Sequence, residues 1–164
     1  MSWYTALHPI APEQRAVLDR LWQLYKHDLS EFRGSMPDPS GRFKDGRLPT
    51  YFDHPDRCGY FIHSGGDLAG FVLLSGLATQ PRRIGEFFVV RAVRRHGVGY
   101  QAAMAVLRGH PGEWEIAFQE ENPRAARFWR RVGAEVAGEG CREQRRPVRG
   151  RPDLPPDTWL RFTV

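Results

Sequence analysis

Apolar positions recur at helical spacing between Pro12 and Phe32, where Val17, Leu18, Leu21, Trp22, Leu24, Tyr25 and Leu29 fall on one side. Pro12 suits a first helical residue, and the pattern predicts an amphipathic helix whose apolar face packs on a sheet. The other apolar runs are short and read as strands. Trp3 to Ile10 is the first, ended by Pro9 and Pro12. Gly59 to His63 and Leu68 to Leu74 follow, joined by Ser64-Gly65-Gly66-Asp67, a hairpin signal. Ile84 to Val90 is interrupted only by Gly85 and Glu86, and Trp114 to Phe118 is the next run. Between these two, Ala102, Ala103, Ala105, Val106 and Leu107 continue a helix from Gly99 to Gly109, stopped by His110-Pro111-Gly112. Asn122-Pro123 supplies an N-cap and a first-turn proline for a helix through Ala125, Ala126, Phe128, Trp129 and Val132, closed by Gly133. Ala134 to Ala137 and Thr158 to Val164 complete the predicted strands. The order β-α-loop-β-β-β-α-β-α-β-β is mixed α/β.

Arg33 to Pro49 breaks the pattern. It is rich in Gly, Pro, Ser and Asp, with turn signals at Met36-Pro37-Asp38-Pro39 and Lys44-Asp45-Gly46, and reads as a long loop before a short helix at Leu48 to His54. Between Asp28 and Asp56 six carboxylates (Asp28, Glu31, Asp38, Asp45, Asp53, Asp56) stand against four bases (Arg33, Arg42, Lys44, Arg47), a balance of −2. The segment is either a solvated loop or a surface that attracts a cationic substrate.

With 164 residues and no internal repeat the chain reads as a single domain, 1–164. Its net charge of +5 suits an anionic ligand without naming one. Of its 24 basic residues all but Lys26 and Lys44 are Arg, a bias that carries no functional weight. Arg142 to Arg151 holds five arginines and reads as a solvated loop; with no aromatic among them to stack a base, nucleic acid is disfavoured as a partner. Cys58 and Cys141 lack CxxC spacing or companion histidines, and His8 and His27 lack partners at ligand spacing, so no metal site is expected. The start, MSWYTALHPI, has no secretory pattern and no apolar run is long enough to span a bilayer, so the expectation is a cytoplasmic protein that does not enter membranes. The oligomeric state is left open, a homodimer included.

Chemistry concentrates from Arg83 to Ala103. A strand there feeds a basic turn, Gly97-Val98-Gly99 and a helix, and main-chain N–H groups at a helix N-terminus favour an anion. Arg91, Arg94 and Arg95 add positive charge, so a phosphate-bearing ligand is expected. Gly97 to Ala102 also fits the G-x-G-x-x-A of dinucleotide sites. However, six residues separate Val90 from Gly97, and Gln119 stands where that site wants an acidic residue.

Arg94-Arg95-His96-Gly97-Val98-Gly99 followed by Asn122, Ala125, Trp129 and Gly133 resembles the two signatures of the GCN5-related N-acetyltransferase (GNAT) superfamily. The likeness is good from about Gly59 to Ala137. It implies a GNAT-like acyl-CoA N-acyltransferase fold, an α/β mixed sheet with splayed central parallel strands, Ile84 to Val90 and Trp114 to Phe118. It implies acetyl-CoA as acyl donor and a primary amine of a small molecule or peptide as acceptor. On the same resemblance the turn of Arg94, Arg95, His96, Gly97, Val98, Gly99 and Tyr100 wraps the pyrophosphate. The strand through Phe88, Val89 and Val90 pairs with pantetheine and offers an oxyanion donor, and Asn122, Ala125 and Trp129 line the far side. Glu86 is the expected general base, with Glu120 and Glu121 as reserves. Trp129 departs from the family, which often has Tyr there to protonate the departing thiolate. An indole cannot do that, so a non-catalytic acyl-CoA binding or sensing module is the alternative to an enzyme.

Overall fold

The computed structural model describes residues 3–164. One seven-stranded sheet runs through it in the order β1-β2-β3-β4-β5-β7-β6. The strands are β1 (Thr5–Pro9), β2 (Arg57–Ser64), β3 (Asp67–Ser75), β4 (Arg82–Val89), β5 (Glu113–Phe118), β6 (Arg142–Arg146) and β7 (Asp157–Thr163). The helices are α1 (Arg15–Arg33), α2 (Thr50–Asp53), α3 (Val98–Gly109) and α4 (Pro123–Ala137). All neighbouring strands are antiparallel except β4 and β5, which are parallel. The mixed α/β class and the hairpin at Gly65-Gly66 are as the pattern predicts, with Ser64 paired to Asp67. No helix among the described residues is long and apolar enough to cross a membrane.

Each face of the sheet has its own core. On one face α3 and α4 cover Val72, Leu74, Ile84, Trp114 and Ile116 with Ala103, Val106, Leu107, Trp129 and Val132. On the other, Leu18, Leu21 and Trp22 of α1 meet Phe61, Phe71, Leu73 and Phe88, together with Leu48 and Tyr51 from the loop and α2. Each of these large side chains removes on the order of 1.5–3 kcal/mol of apolar exposure from water, which makes both cores stabilising. The loop folds back on α1: Trp22 Nε1 donates to Lys44 O at 3.1 Å, and Gln23 exchanges two hydrogen bonds with the main chain of Phe43.

Two expectations are corrected at the C-terminal end. The last long helix does not close at Gly133, and Ala134 to Ala137 is its final turn instead of a strand. Gly133 is there for close approach: a Cβ on it would stand 2.8 Å from Cys141 Sγ and 3.3 Å from Leu160 Cδ1. Gly138, at φ 51°, ends the helix instead. The missing strand is β6, inside the arginine-rich segment read as a loop. Arg146 on β6 and Arg83 on β4 both pair with Glu115, which is only 4% exposed. Burial works against that carboxylate, and the two guanidiniums outweigh it and hold its pKa below the usual range. Some of the arginines are therefore internal counter-ions and strand formers.

α1 lies across the place where β4 and β5 part. Asp28 pairs with Arg91 at 2.7 Å and with Arg94, both just beyond β4, while Arg33 pairs with Asp157 at the head of β7.

Candidate active site

β4 and β5 are paired only at Arg82–Trp114, Arg83–Glu115 and Ile84–Ile116, and diverge beyond. Along the rest of β4 the side facing β5 therefore has no strand partner. Val90 N–H donates to Ala69 O at 2.8 Å, so the alternation of an antiparallel ladder turns Phe88 toward β3 and Phe87 and Val89 toward the fork. Val89 O accepts Arg94 Nε at 2.6 Å. Of the expected strand residues, Val90 has its N–H engaged and Phe88 is core. Val89 N–H is the last main-chain donor of β4 that the ladder directs at the opening.

Gly85 is a bulge, because Leu73 pairs with Glu86 while Leu74 pairs with Ile84. In a regular strand Glu86 would share the Ile84 face; the extra residue carries it to the α1 face. There the Tyr25 hydroxyl donates to Glu86 Oε2 at 2.5 Å. Burial pushes the Glu86 pKa up, and the Tyr25 hydroxyl with the charges of Lys26 and Arg47 holds back part of the rise. The Tyr51 hydroxyl lies over Gly85, where a Cβ would come within 2.3 Å of it. Its own pKa is pushed up to about 12 by burial and then by Glu86. A carboxylate of raised pKa, steered by a phenol at the mouth of a fork, has the properties of a general base.

The turn after β4 leaves main-chain donors free. Arg95 (φ 70°) and Gly97 (φ 81°) take left-handed conformations before α3 starts at Val98. The N–H groups of Arg95 to Tyr100 find no acceptor among the described residues; Gln101 is the first to reach one, Gly97 O at 2.9 Å. A Cβ on Gly97 would meet only the Gln101 amide, at 3.6 Å, so the turn is open above the backbone. Such a row of free donors at a helix N-terminus fits a phosphate group.

The side chains of this turn divide. Arg94 is engaged by Asp28 and Val89 O and lies over the Phe88 ring at 5.7 Å, so it braces the turn. Burial acts against the Asp28 carboxylate, but Arg94 and Arg91 prevail and lower its pKa. Arg95 and His96 are exposed, with the His96 ring 4.2 Å from that of Trp3. Val98 is buried with Val89 and Ala102. Gly99 leaves 3.6 Å between a would-be Cβ and both Phe87 and Val89, and Arg131 covers the Tyr100 ring at 4.6 Å.

Across the fork, Asn122 caps α4, its side chain accepting from Ala125 N at 3.2 Å. Trp129 is buried, edge-on to Phe87 at 5.1 Å and to Phe128 at 4.7 Å, and its N–H bonds no group among the described residues. Glu120 is held by Arg130 and Thr158, Arg130 above all lowering its pKa, which makes it a weaker base than Glu86. Tyr25, Lys26, Arg47 and Tyr51 gather at Glu86 without having been foreseen. Their one sequence signal is Tyr25, a hydroxyl on the apolar face of the long helix.

A model of the acetyltransferase (GNAT) family matches residues 18–134. The chain belongs to the GNAT acetyltransferase family. No curated protein matches it by sequence. Among solved structures, an acetyltransferase from Thermus thermophilus is similar with a TM-score of 0.71 and 18% identity over 100% of both chains. The GNAT domain of S. lividans PAT gives 0.65 and 17%, covering 98% of this chain and 90% of its own. Arabidopsis thaliana NAA60 in complex with a bisubstrate analogue gives 0.61 and 14% over 98% of each. At these identities the likeness is one of fold. As a GNAT protein the chain has the parting of β4 and β5 where the resemblance implied it, with Arg94 to Gly99 leading from β4 into α3 and Asn122 between β5 and α4.

Proposed function

We propose that this GNAT protein is an acetyl-CoA-dependent N-acetyltransferase that acetylates a primary amine of a small molecule or peptide by direct attack on the thioester. The observation that carries the reading is the placement of Glu86, turned by the Gly85 bulge to the mouth of the fork and held there by Tyr25. Acetyl-CoA supplies an acyl group on sulfur. The free N–H row from Arg95 to Tyr100 suits its pyrophosphate, and Val89 N–H suits the carbonyl oxygen as charge builds there. Glu86 takes a proton from the acceptor ammonium and frees its lone pair. The N–C bond forms and the C–S bond breaks; the nitrogen loses its second proton to solvent, and the thiolate takes one from water. Trp129, in the place where the family often has Tyr, gives one observation for a second reading, an acyl-CoA binding module without turnover.

Thermal shift with acetyl-CoA and thiol release with a panel of amines test both. Wild type is expected to be protected by acetyl-CoA and to release CoA. Gly99→Val, whose added side chain would enter the space beside Phe87, Val89 and Phe128 at the fork, is expected to lose the protection while its circular dichroism stays native. Undiminished protection in Gly99→Val removes the α3 turn from the site. Protection with no release for any amine favours the binding module.

A further inference from the structure

The acceptor side of Glu86 is basic. Lys26 and Arg47 are the two cations whose charge acts on its carboxylate. Neither is engaged in an ion pair among the described residues; Lys26 Nζ stands over the Trp22 ring at 5.7 Å. The segment before Arg47 lies on that same ring, since Trp22 Nε1 holds Lys44 O and a Cβ on Gly46 would be 3.8 Å from Trp22 Cζ2. Lys26 from α1 and the main chain leading into Arg47 from the loop therefore meet at the Trp22 ring, whose neighbour Tyr25 bonds Glu86.

The carboxylates that could have made this surface acidic are mostly engaged elsewhere. Arg42 takes Asp19 at 2.6 Å and Asp45 at 3.4 Å. Asp38 closes its own turn, accepting from the Ser40 hydroxyl and from the main chain of Ser40 and Arg42. Asp28 holds Arg91 and Arg94, and Asp56 holds Ala78 N and Thr79. The reading of this loop as a trap for a cationic substrate thus loses Asp28 and Asp45 to arginines, while Asp38 and Asp56 keep their charge but spend their oxygens on internal hydrogen bonds. A polycation at Glu86 would lie in the field of Lys26 and Arg47, and like charges repel it.

We propose that the acceptor is a small primary amine that also carries an anionic group, carboxylate or phosphate, which Lys26 and Arg47 hold while the amine reaches Glu86. The inference rests on the acetyltransferase reading and adds to it the charge of the substrate. Ammonium to Glu86 and anion to Lys26 and Arg47 match the site in sign at both ends. The hydroxyl ends of Tyr25 and Tyr51 stand at Glu86 and Gly85, the end that takes the amine.

The test is thiol release by the full chain with saturating acetyl-CoA and paired acceptors: glycine against glycinamide, O-phosphoethanolamine against ethanolamine, and spermidine. The first pair reports a carboxylate, the second a phosphate. The anionic member of at least one pair is expected to exceed its neutral partner about tenfold or more in kcat/KM, with spermidine lowest. Lys26→Gln and Arg47→Gln are each expected to raise KM for that anionic acceptor about fivefold or more, with acetyl-CoA protection in thermal shift unchanged. Acetyl-CoA protection together with a preference for neutral amines or spermidine overturns the anionic acceptor and leaves the acetyltransferase standing. So does an unmoved KM in both variants. Absence of both protection and release overturns the two together.

Discussion

Tyr25 gives its hydroxyl proton to a hydrogen bond with Glu86 Oε2 across 2.5 Å, from a helix 61 positions earlier in the chain. The bond steadies the charged carboxylate against the burial that raises its pKa. Tyr25→Phe keeps the ring contacts with Trp22 and Phe71 and removes only that support. The Glu86 pKa should rise further, so the acidic limb of kcat/KM against pH should move to higher pH, with rates converging on wild type in alkali. An unmoved limb would assign it to another group.

Glu86 also sets a stability difference with a definite sign. Its folded pKa lies above its unfolded value, so the native state binds the proton more tightly, and stability falls as pH rises between the two values. Glu86→Gln abolishes this penalty and still accepts from Tyr25. The variant should melt above wild type at neutral pH, with the gap narrowing as pH falls from the raised folded value toward the ordinary glutamate value and closed below it, while kcat falls most at neutral pH and recovers partly in alkali. A Tm gap that does not change with pH would contradict the assignment.

Asp28→Asn releases Arg91 and Arg94 together. For a partly buried pair of this kind a loss of about 1–2 kcal/mol is expected, and acetyl-CoA affinity should weaken because the turn carrying the free N–H row loses its brace. Calorimetric unfolding and acetyl-CoA titration read the two effects separately. Affinity untouched alongside a lower Tm would mean the turn keeps its shape without Asp28.

Gly133→Ala puts a methyl 2.8 Å from Cys141 Sγ. Overpacking of about 1–3 kcal/mol should outweigh the better helix propensity of alanine. Cys141→Ala removes the sulfur, and the double variant should recover most of the loss in a denaturant titration. Additive losses would place the conflict at Leu160 instead.

Trp129→Phe should retain most activity if the indole only packs on Phe87 and Phe128. Its core position implies a drop of about 1–3 kcal/mol in stability. Steady-state kinetics on the folded variant decide it, since a collapse of kcat would give the indole a part in placing substrate.

The fork could be read in the sequence because each of its signals is local: an apolar run into Gly97-Val98-Gly99, and Asn122-Pro123 opening a helix. β6 could not, because its residues are mostly exposed and its strand character comes only from pairing with β7. Gly133 imitates a helix stop, yet its cause is a neighbour eight residues on that the helical pattern does not contain. Glu86 was legible as a carboxylate breaking an apolar strand, but the face it occupies depends on the Gly85 bulge, a register event between two strands. Tyr25, Lys26 and Arg47 reach it from α1 and the loop, so only the tertiary fold assembles them.

Both arms of the fork are tied to one helix. Asp28 holds the segment after β4 and Arg33 the head of β7, which lies against the end of β5. The two anchors are separated by about 7.5 Å of helical rise, and β4 and β7, the strands they tether, are second neighbours with β5 between them. The opening thus has a gauge set by helix pitch and indifferent to the lengths of the loops beyond it. Extra residues near Met36 would leave that gauge alone. One residue inserted between Asp28 and Arg33 would swing an anchor by about 100° and unhitch an arm.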